Sequence, residues 1–123
     1  MKAIILAAGQ GKRIPKVTKN KPKCLIKINK ISLIERQISF LHKLNINDII
    51  IVKGFKKKKI SIKKVKYIIN KNYKNNEQLD SLFTARNEFK DDMIVLFSDI
   101  IYDFSILKKI YNEEKKIITL AID

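Results

Sequence analysis

Met1-Lys2-Ala3-Ile4-Ile5-Leu6-Ala7-Ala8-Gly9-Gln10-Gly11-Lys12-Arg13 opens the chain, and the reading of this stretch decides the fold. An apolar stretch behind a lysine superficially mimics a signal peptide. Here it is short and runs through glycine into a basic loop, which fits a buried strand better. Runs rich in Ile and Val recur at 48–53, 65–69, 93–98 and 117–122. Like 2–7, each is nearly continuous, as expected of strands covered on both faces. Helical patterns separate several of them. Ser32-Leu33-Ile34-Glu35 reads as a capping box, with Ile34, Ile38, Leu41 and Leu44 on one face. A second helix is expected from about Leu79 to Phe89, with Leu79, Leu82, Phe83 and Phe89 inward. A third follows Asp103 as N-cap, with Ile106, Leu107, Ile110 and Tyr111 as its stripe. Strand and helix in alternation predict an α/β domain, Rossmann-like, with a mostly parallel sheet and helices on both faces.

With 123 residues the chain makes one domain, 1–123. Its charge needs discounting. Lys, Ile and Asn supply 24, 24 and 10 residues, the bias expected of an A/T-rich genome. The formal charge of +15 comes from 27 basic and 12 acidic residues, but only Arg13, Arg36 and Arg86 are arginine. Arginine is the fork-shaped cation suited to reading phosphates and bases, so no nucleic-acid partner is expected. Lys53, Lys56, Lys57, Lys58 and Lys59 read as a solvated turn. An apolar content of 46% with 3 Gly and 2 Pro excludes a disordered or collagen-like chain. Cys24 alone cannot form an internal disulfide, and with His42 as the one histidine no zinc cluster is available. Cys24 reads as a buried small hydrophobe at the start of a short strand, and His42 as structural or exposed. No apolar run approaches the roughly 18 residues of a membrane span, so neither a membrane nor a secreted location is expected and the chain is read as cytoplasmic.

Two segments break the alternation, Gly9 to Lys23 and Asn70 to Gln78, and both leave a strand at its carboxyl end, where open α/β sheets bind ligands. In the first, Ala7, Ala8, Gly9 and Gly11 let backbone N–H groups approach a phosphate closely. Arg13 and Lys23 add two cations. Ile14 stands where a third glycine would complete a dinucleotide fingerprint, and no Gly-Lys-Ser/Thr makes this a P-loop. Met93 to Phe97 is an apolar run leading through Ser98 to the carboxylate of Asp99. Such a position suits a ligand for Mg²⁺ on a nucleotide's phosphates. Asp103 is assigned to capping.

Leu6-Ala7-Ala8-Gly9-Gln10-Gly11-Lys12-Arg13 followed by Pro22-Lys23-Cys24-Leu25 resembles the signature of nucleotidyltransferases that join a nucleoside monophosphate to a phosphorylated acceptor. Ser98-Asp99 stands where that family usually has Gly-Asp. Asn70-Lys71-Asn72-Tyr73 and Gln78-Leu79-Asp80-Ser81-Leu82 are similar to the choline-phosphate cytidylyltransferase branch. The resemblance implies the nucleotide-diphospho-sugar transferase type of fold. It also implies a nucleotide site of Leu6, Ala7, Ala8, Gly9, Gly11, Arg13, Lys23 and Gln78, with Mg²⁺ on Asp99. Side-chain amides both donate and accept, so Gln78, then Asn76, is the choice for the base; a loop amide tying down its own backbone is the alternative.

The implied reaction is attack of an acceptor phosphate oxygen on the α-phosphorus of a nucleoside triphosphate, CTP favoured, expelling pyrophosphate. The acceptor class is a phosphorylated small molecule such as phosphocholine or a sugar-1-phosphate. In it Arg13, Lys23 and Asp99 are the catalytic set: Lys23 neutralises the α-phosphate and Arg13 holds the pyrophosphate. No protein nucleophile is needed, in keeping with a sequence lacking a Ser/His/Asp or Cys/His arrangement. The match covers the nucleotide-binding half of the family's catalytic domain. The chain is therefore expected to be truncated, or to need a second copy or a partner chain to finish the acceptor site. Two other readings stay open: a nucleotide-binding module without catalysis, and an RNA or anionic-surface binder using the lysine-rich face.

Overall fold

Strands that are apolar on both sides must be covered twice, and the computed structural model supplies both covers. It describes residues 1–75, 77–90 and 92–113. In chain order the elements are β1 (Lys2–Ala7), α1 (Pro15–Thr18), β2 (Lys27–Ile28), β3 (Ile31–Ser32), α2 (Leu33–Lys43), β4 (Ile49–Lys53), β5 (Lys66–Ile69), α3 (Gln78–Thr84), β6 (Met93–Phe97) and α4 (Phe104–Tyr111). Four strands form one parallel sheet in the order β5-β4-β1-β6. The alternation of side chains then sorts the core. Ala3, Ile5 and Ala7 lie with Ile49, Ile51, Ile94 and Leu96 against Ile34, Ile38 and Leu41 of α2 and Leu107 of α4. Ile4, Leu6, Ile50 and Val52 face the other way, onto Leu82 of α3 and Ala85.

The strand order reverses at β1. From β1 the chain winds outward through β4 to β5, then crosses back to place β6 on the opposite side. Parallel crossovers are right-handed, so a change of direction puts the connecting helices on opposite faces. A crevice opens at the carboxyl ends of β1 and β6, where their connections diverge.

The expected strands at 2–7, 48–53, 65–69 and 93–98 correspond to β1, β4, β5 and β6; the one expected at 117–122 lies outside the described residues. The capping box is present. Glu35 N–H donates to Ser32 Oγ at 3.3 Å and Ser32 N–H donates to Glu35 Oε2 at 2.8 Å. The helix expected over 79–89 is shorter and rotated. It ends at Thr84, a turn of 3-10 helix follows at Arg86–Glu88, and Leu79 and Phe83 are 67% and 57% exposed. Ser81 turns inward instead because its hydroxyl accepts from the buried Asn70 amide at 3.0 Å. That bond swings Leu79 and Phe83 into solvent; Phe89, beyond the helix, is exposed as well. In α4 the inward line runs through Phe104, packed on Phe40 with ring centroids 5.4 Å apart, and Leu107. Ile106 and Tyr111 are exposed. Lys23–Leu25, expected to begin a strand, is a 3-10 turn. It leads to a hairpin, β2 with β3, whose two turn residues Asn29 and Lys30 have φ of 51° and 67°, the twist of a type I′ turn. Lys53 departs from the solvated turn: its ammonium sits 3.7 Å from the Tyr67 ring centroid and donates to the Ile60 carbonyl. Burial first, then Lys57, lowers its pKa.

Glu88 ties the sheet to the segment after α3. Lys66 and Lys2 both bond its carboxylate, Lys2 at 2.9 Å, and these bonds hold its pKa down at about 2 against an ordinary 4.5. A depressed carboxylate stabilises the fold above the unfolded pKa, and that contribution is lost as pH falls through the folded one. Glu88→Gln is therefore less stable than the parent at neutral pH. The gap narrows below about 4.5 and closes near about 2. Urea midpoints across that range check it; a gap constant with pH refutes it.

Candidate active site

The crevice is built from three turns, each shaped by a residue that leaves little choice. The first follows β1. Ala7 and Ala8 are almost wholly buried, and the Ala8 carbonyl accepts from Phe55 N–H at 3.1 Å, tying this turn to the one after β4. Gly11, at φ +67°, starts a turn closed by Ile14 N–H donating to the Gly11 carbonyl at 3.1 Å. Pro15 then opens α1. Thr18, buried at the end of α1, has its hydroxyl 2.8 Å from the Gly11 carbonyl and 2.9 Å from that of Ile14. A β-carbon on Gly11 would lie 2.8 Å from Thr18 Cγ2 and 3.0 Å from Lys23 Cγ. Gly11 thus makes room for the stem of Lys23 and does not line the crevice.

Lys23 begins the 3-10 turn behind Pro22, and Cys24 anchors that turn among Ile34, Ile38 and Leu41. Burial, reinforced by the charge of Asp99, pushes the Cys24 thiol up to about 12. The third turn follows β6. Ser98 is buried and its N–H donates to the Leu6 carbonyl at 3.2 Å, so β6 stays beside β1 to the rim. Asp99 comes next, in a turn closed by Ile100 N–H donating to the Phe97 carbonyl at 3.3 Å. Its Oδ2 accepts from Lys23 Nζ at 2.7 Å, with both side chains partly open to solvent.

The far wall comes from the segment after β5. Asn70 is buried, donates from Nδ2 to Ser81 and accepts at Oδ1 from Asn72 N–H at 3.0 Å, which curls the loop back. Tyr73 then lies directly on Gly54: a β-carbon there would be 2.6 Å from Tyr73 Cβ. Of the residues named from the sequence, Leu6, Ala7, Ala8, Gly9, Lys23, Gln78 and Asp99 come together as lining of the resulting cleft. Tyr73, Glu77 and Ser81 also line it, without having been singled out as site residues. The isolated Gly54 after a strand was the available signal for a close approach. Arg13 is exposed on the loop and is not among the lining residues. Asn76 lies outside the described residues. Asp103 caps α4, its Oδ1 accepting from Ser105 N–H at 2.8 Å.

Gly54→Ala has no room without moving Tyr73. Overpacking of this kind typically costs about 1–3 kcal/mol, and here the strain falls on the cleft wall. The expected result is a melting temperature several degrees below the parent's; an unchanged melt would show that Tyr73 yields without cost.

Residues 3–120 match the family described as "MobA-like NTP transferase domain". The chain belongs to that family. Choline-phosphate cytidylyltransferase of Streptococcus pneumoniae is 40% identical over 99 residues, 77% of this chain and 43% of the relative. CTP:phosphoglutamine cytidylyltransferase of Campylobacter jejuni is 30% identical over 128 residues, 95% of this chain and 51% of the relative. The solved CTP:phosphocholine cytidylyltransferase of S. pneumoniae superposes with a TM-score of 0.69 at 38% identity, over 80% of this chain and 44% of that one. This MobA-like chain therefore spans about half the length of such relatives. Its sheet and helices have the nucleotide-diphospho-sugar transferase fold. Among the described residues no helix is long and apolar enough to cross a membrane.

Proposed function

We propose that the chain carries the nucleotide half of a cytidylyltransferase site, at which CMP passes from CTP to a phosphorylated small acceptor and pyrophosphate leaves. The observation that carries this reading is the contact between Lys23 and Asp99, 2.7 Å apart at the mouth of the cleft. A cation and a carboxylate from opposite turns meet there, beside the small-residue run that leaves room for a phosphate chain. The relatives with CTP in their names favour cytosine as the base.

Mg²⁺ fits the donor set. Among the described residues no three acidic, His or Cys side chains converge into a protein cage, and Mg²⁺ is commonly held by one or two carboxylates together with substrate phosphates. Asp99 is the carboxylate that would hold it. When bound, the ion supplies charge neutralisation at the phosphate oxygens. The chain's own residues do the rest. Lys23 neutralises charge at the α-phosphate, backbone N–H groups of the Ala8–Gly9 turn face the phosphates, and Gln78 meets the base. Arg13, on its exposed loop, takes the departing pyrophosphate. Attack comes from the acceptor itself, since Cys24, with its thiol near 12, stays protonated and buried.

Titration with CTP, UTP, GTP and ATP in the presence of Mg²⁺, followed by pyrophosphate assays with phosphocholine or a sugar-1-phosphate, tests the reading. CTP binding with pyrophosphate release supports it. Binding without release from any acceptor replaces it with a nucleotide-binding module. Affinity for RNA that collapses with salt, in place of nucleotide binding, replaces it with a surface binder.

A further inference from the structure

Helix α2 carries a buried amide that the nucleotide site does not account for. Gln37 is 2% exposed, on a helix face otherwise made of Leu33, Ile34, Ile38 and Leu41. An amide in such a place is costly unless its polar atoms are bonded. Its Nε2 donates to the Phe97 carbonyl at 2.9 Å and to the Ile100 carbonyl at 3.1 Å. These two carbonyls flank Ser98 and Asp99. One NH₂ group with two protons thus clamps both ends of the turn that carries the carboxylate. Gln37 Oε1 has no partner among the described residues, so the side chain is used for its donors alone.

The other member of the ion pair rests on the same helix. The Lys23–Leu25 turn packs on α2, and Leu33 N–H donates to the Ile26 carbonyl at 3.0 Å just beyond it. Helix α2 is therefore the common platform for both turns. Lys23 is placed by apolar packing through Cys24, and Asp99 by the Gln37 amide. No other side-chain hydrogen bond links the Phe97–Ile100 backbone to a helix among the described residues.

We propose that Gln37 is a positioning residue that fixes the Asp99 carboxylate opposite the Lys23 ammonium, and through that spacing sets the rate of nucleotidyl transfer. The rate part rests on the proposed function; the spacing part does not. Without the amide protons the two carbonyls turn toward other donors and the intervening Asp99 moves with them. A displacement of about 1 Å in a catalytic array can cost about 100-fold in rate.

Gln37→Met keeps the length and shape of the side chain and removes both donors. In the full chain its kcat for pyrophosphate release is expected to fall about 10- to 100-fold, with KM for CTP changed less than about threefold. In ligand-free samples the NMR resonances of the Asp99 amide and the Lys23 side chain are expected to shift, because the carboxylate and the ammonium that meet at 2.7 Å move apart. A lower melting temperature with wild-type kcat and unshifted Asp99 and Lys23 resonances overturns the proposal, since it leaves Gln37 a purely structural part. Should Gln37→Met fail to fold, Gln37→Asn, which keeps the amide one methylene short of the carbonyls, is read by the same two measurements. If the wild-type chain turns over no nucleotide, the proposed function fails and the resonances alone decide whether Gln37 places Asp99.

Discussion

On the proposed function, Lys23→Ala is expected to release pyrophosphate from CTP at least about a hundredfold more slowly than the parent, and to melt at nearly the same temperature. The two halves of this result come from different physics. Removing one preorganised charge from a site of charge development costs on the order of 3 kcal/mol of barrier, whichever step the charge serves. The pair with Asp99 contributes little to folding, because its side chains are 28% and 32% exposed and such ion pairs are worth roughly 0–1 kcal/mol. Initial rates with saturating CTP and phosphocholine, set beside a thermal melt, read both numbers. Wild-type rates in the mutant would remove Lys23 from the mechanism.

Ile5→Ala gives the opposite signature. Ile5 lies at the centre of β1, fully buried, with Ile51 and Leu96 as neighbours on either side and α2 above. Truncating such a side chain costs about 2–5 kcal/mol in transfer energy and cavity, out of the roughly 5–15 kcal/mol that holds a domain folded. The melting temperature is expected to drop by roughly 10 to 20 °C. Below the new transition Lys23 and Asp99 still meet, so turnover per folded molecule stays close to the parent's. A melt unchanged within a degree or two would mean that this position can collapse around the void.

The contrast between the two mutations follows the contrast in what was legible. The sheet could be read because β1 and β4 are buried on both faces and β6 on one with the other half covered, so their Ile and Val runs are almost unbroken and no other element tolerates that composition so well. Helix α2 announced itself with Ser32 and Glu35. Most of the cleft was legible too, since small residues and charges at strand ends have few structural uses. Two of the failures share a cause, a polar contact between distant segments. Nothing local in Gln78 to Thr84 says that Ser81 will bond Asn70 and so turn Leu79 and Phe83 outward. Nothing local in α2 says that the Gln37 amide will meet the Phe97 and Ile100 carbonyls. The β2–β3 hairpin was invisible for another reason: Asn29-Lys30 takes the left-handed turn without the glycine that normally marks it.

Parallel pairing has a temporal consequence for this chain. Leu6 lies beside Val52 and also beside Phe97, so the central strand waits for partners made much later in synthesis. Contacts so distant along the chain form slowly because the intervening loop must close before they reward it. The rim that pairs Lys23 with Asp99 exists only after β6 has docked. A nucleotide that bridged that rim, as proposed, would grip β6, the last strand to arrive among the described residues, and by mass action would protect a part of the sheet that is slow to assemble.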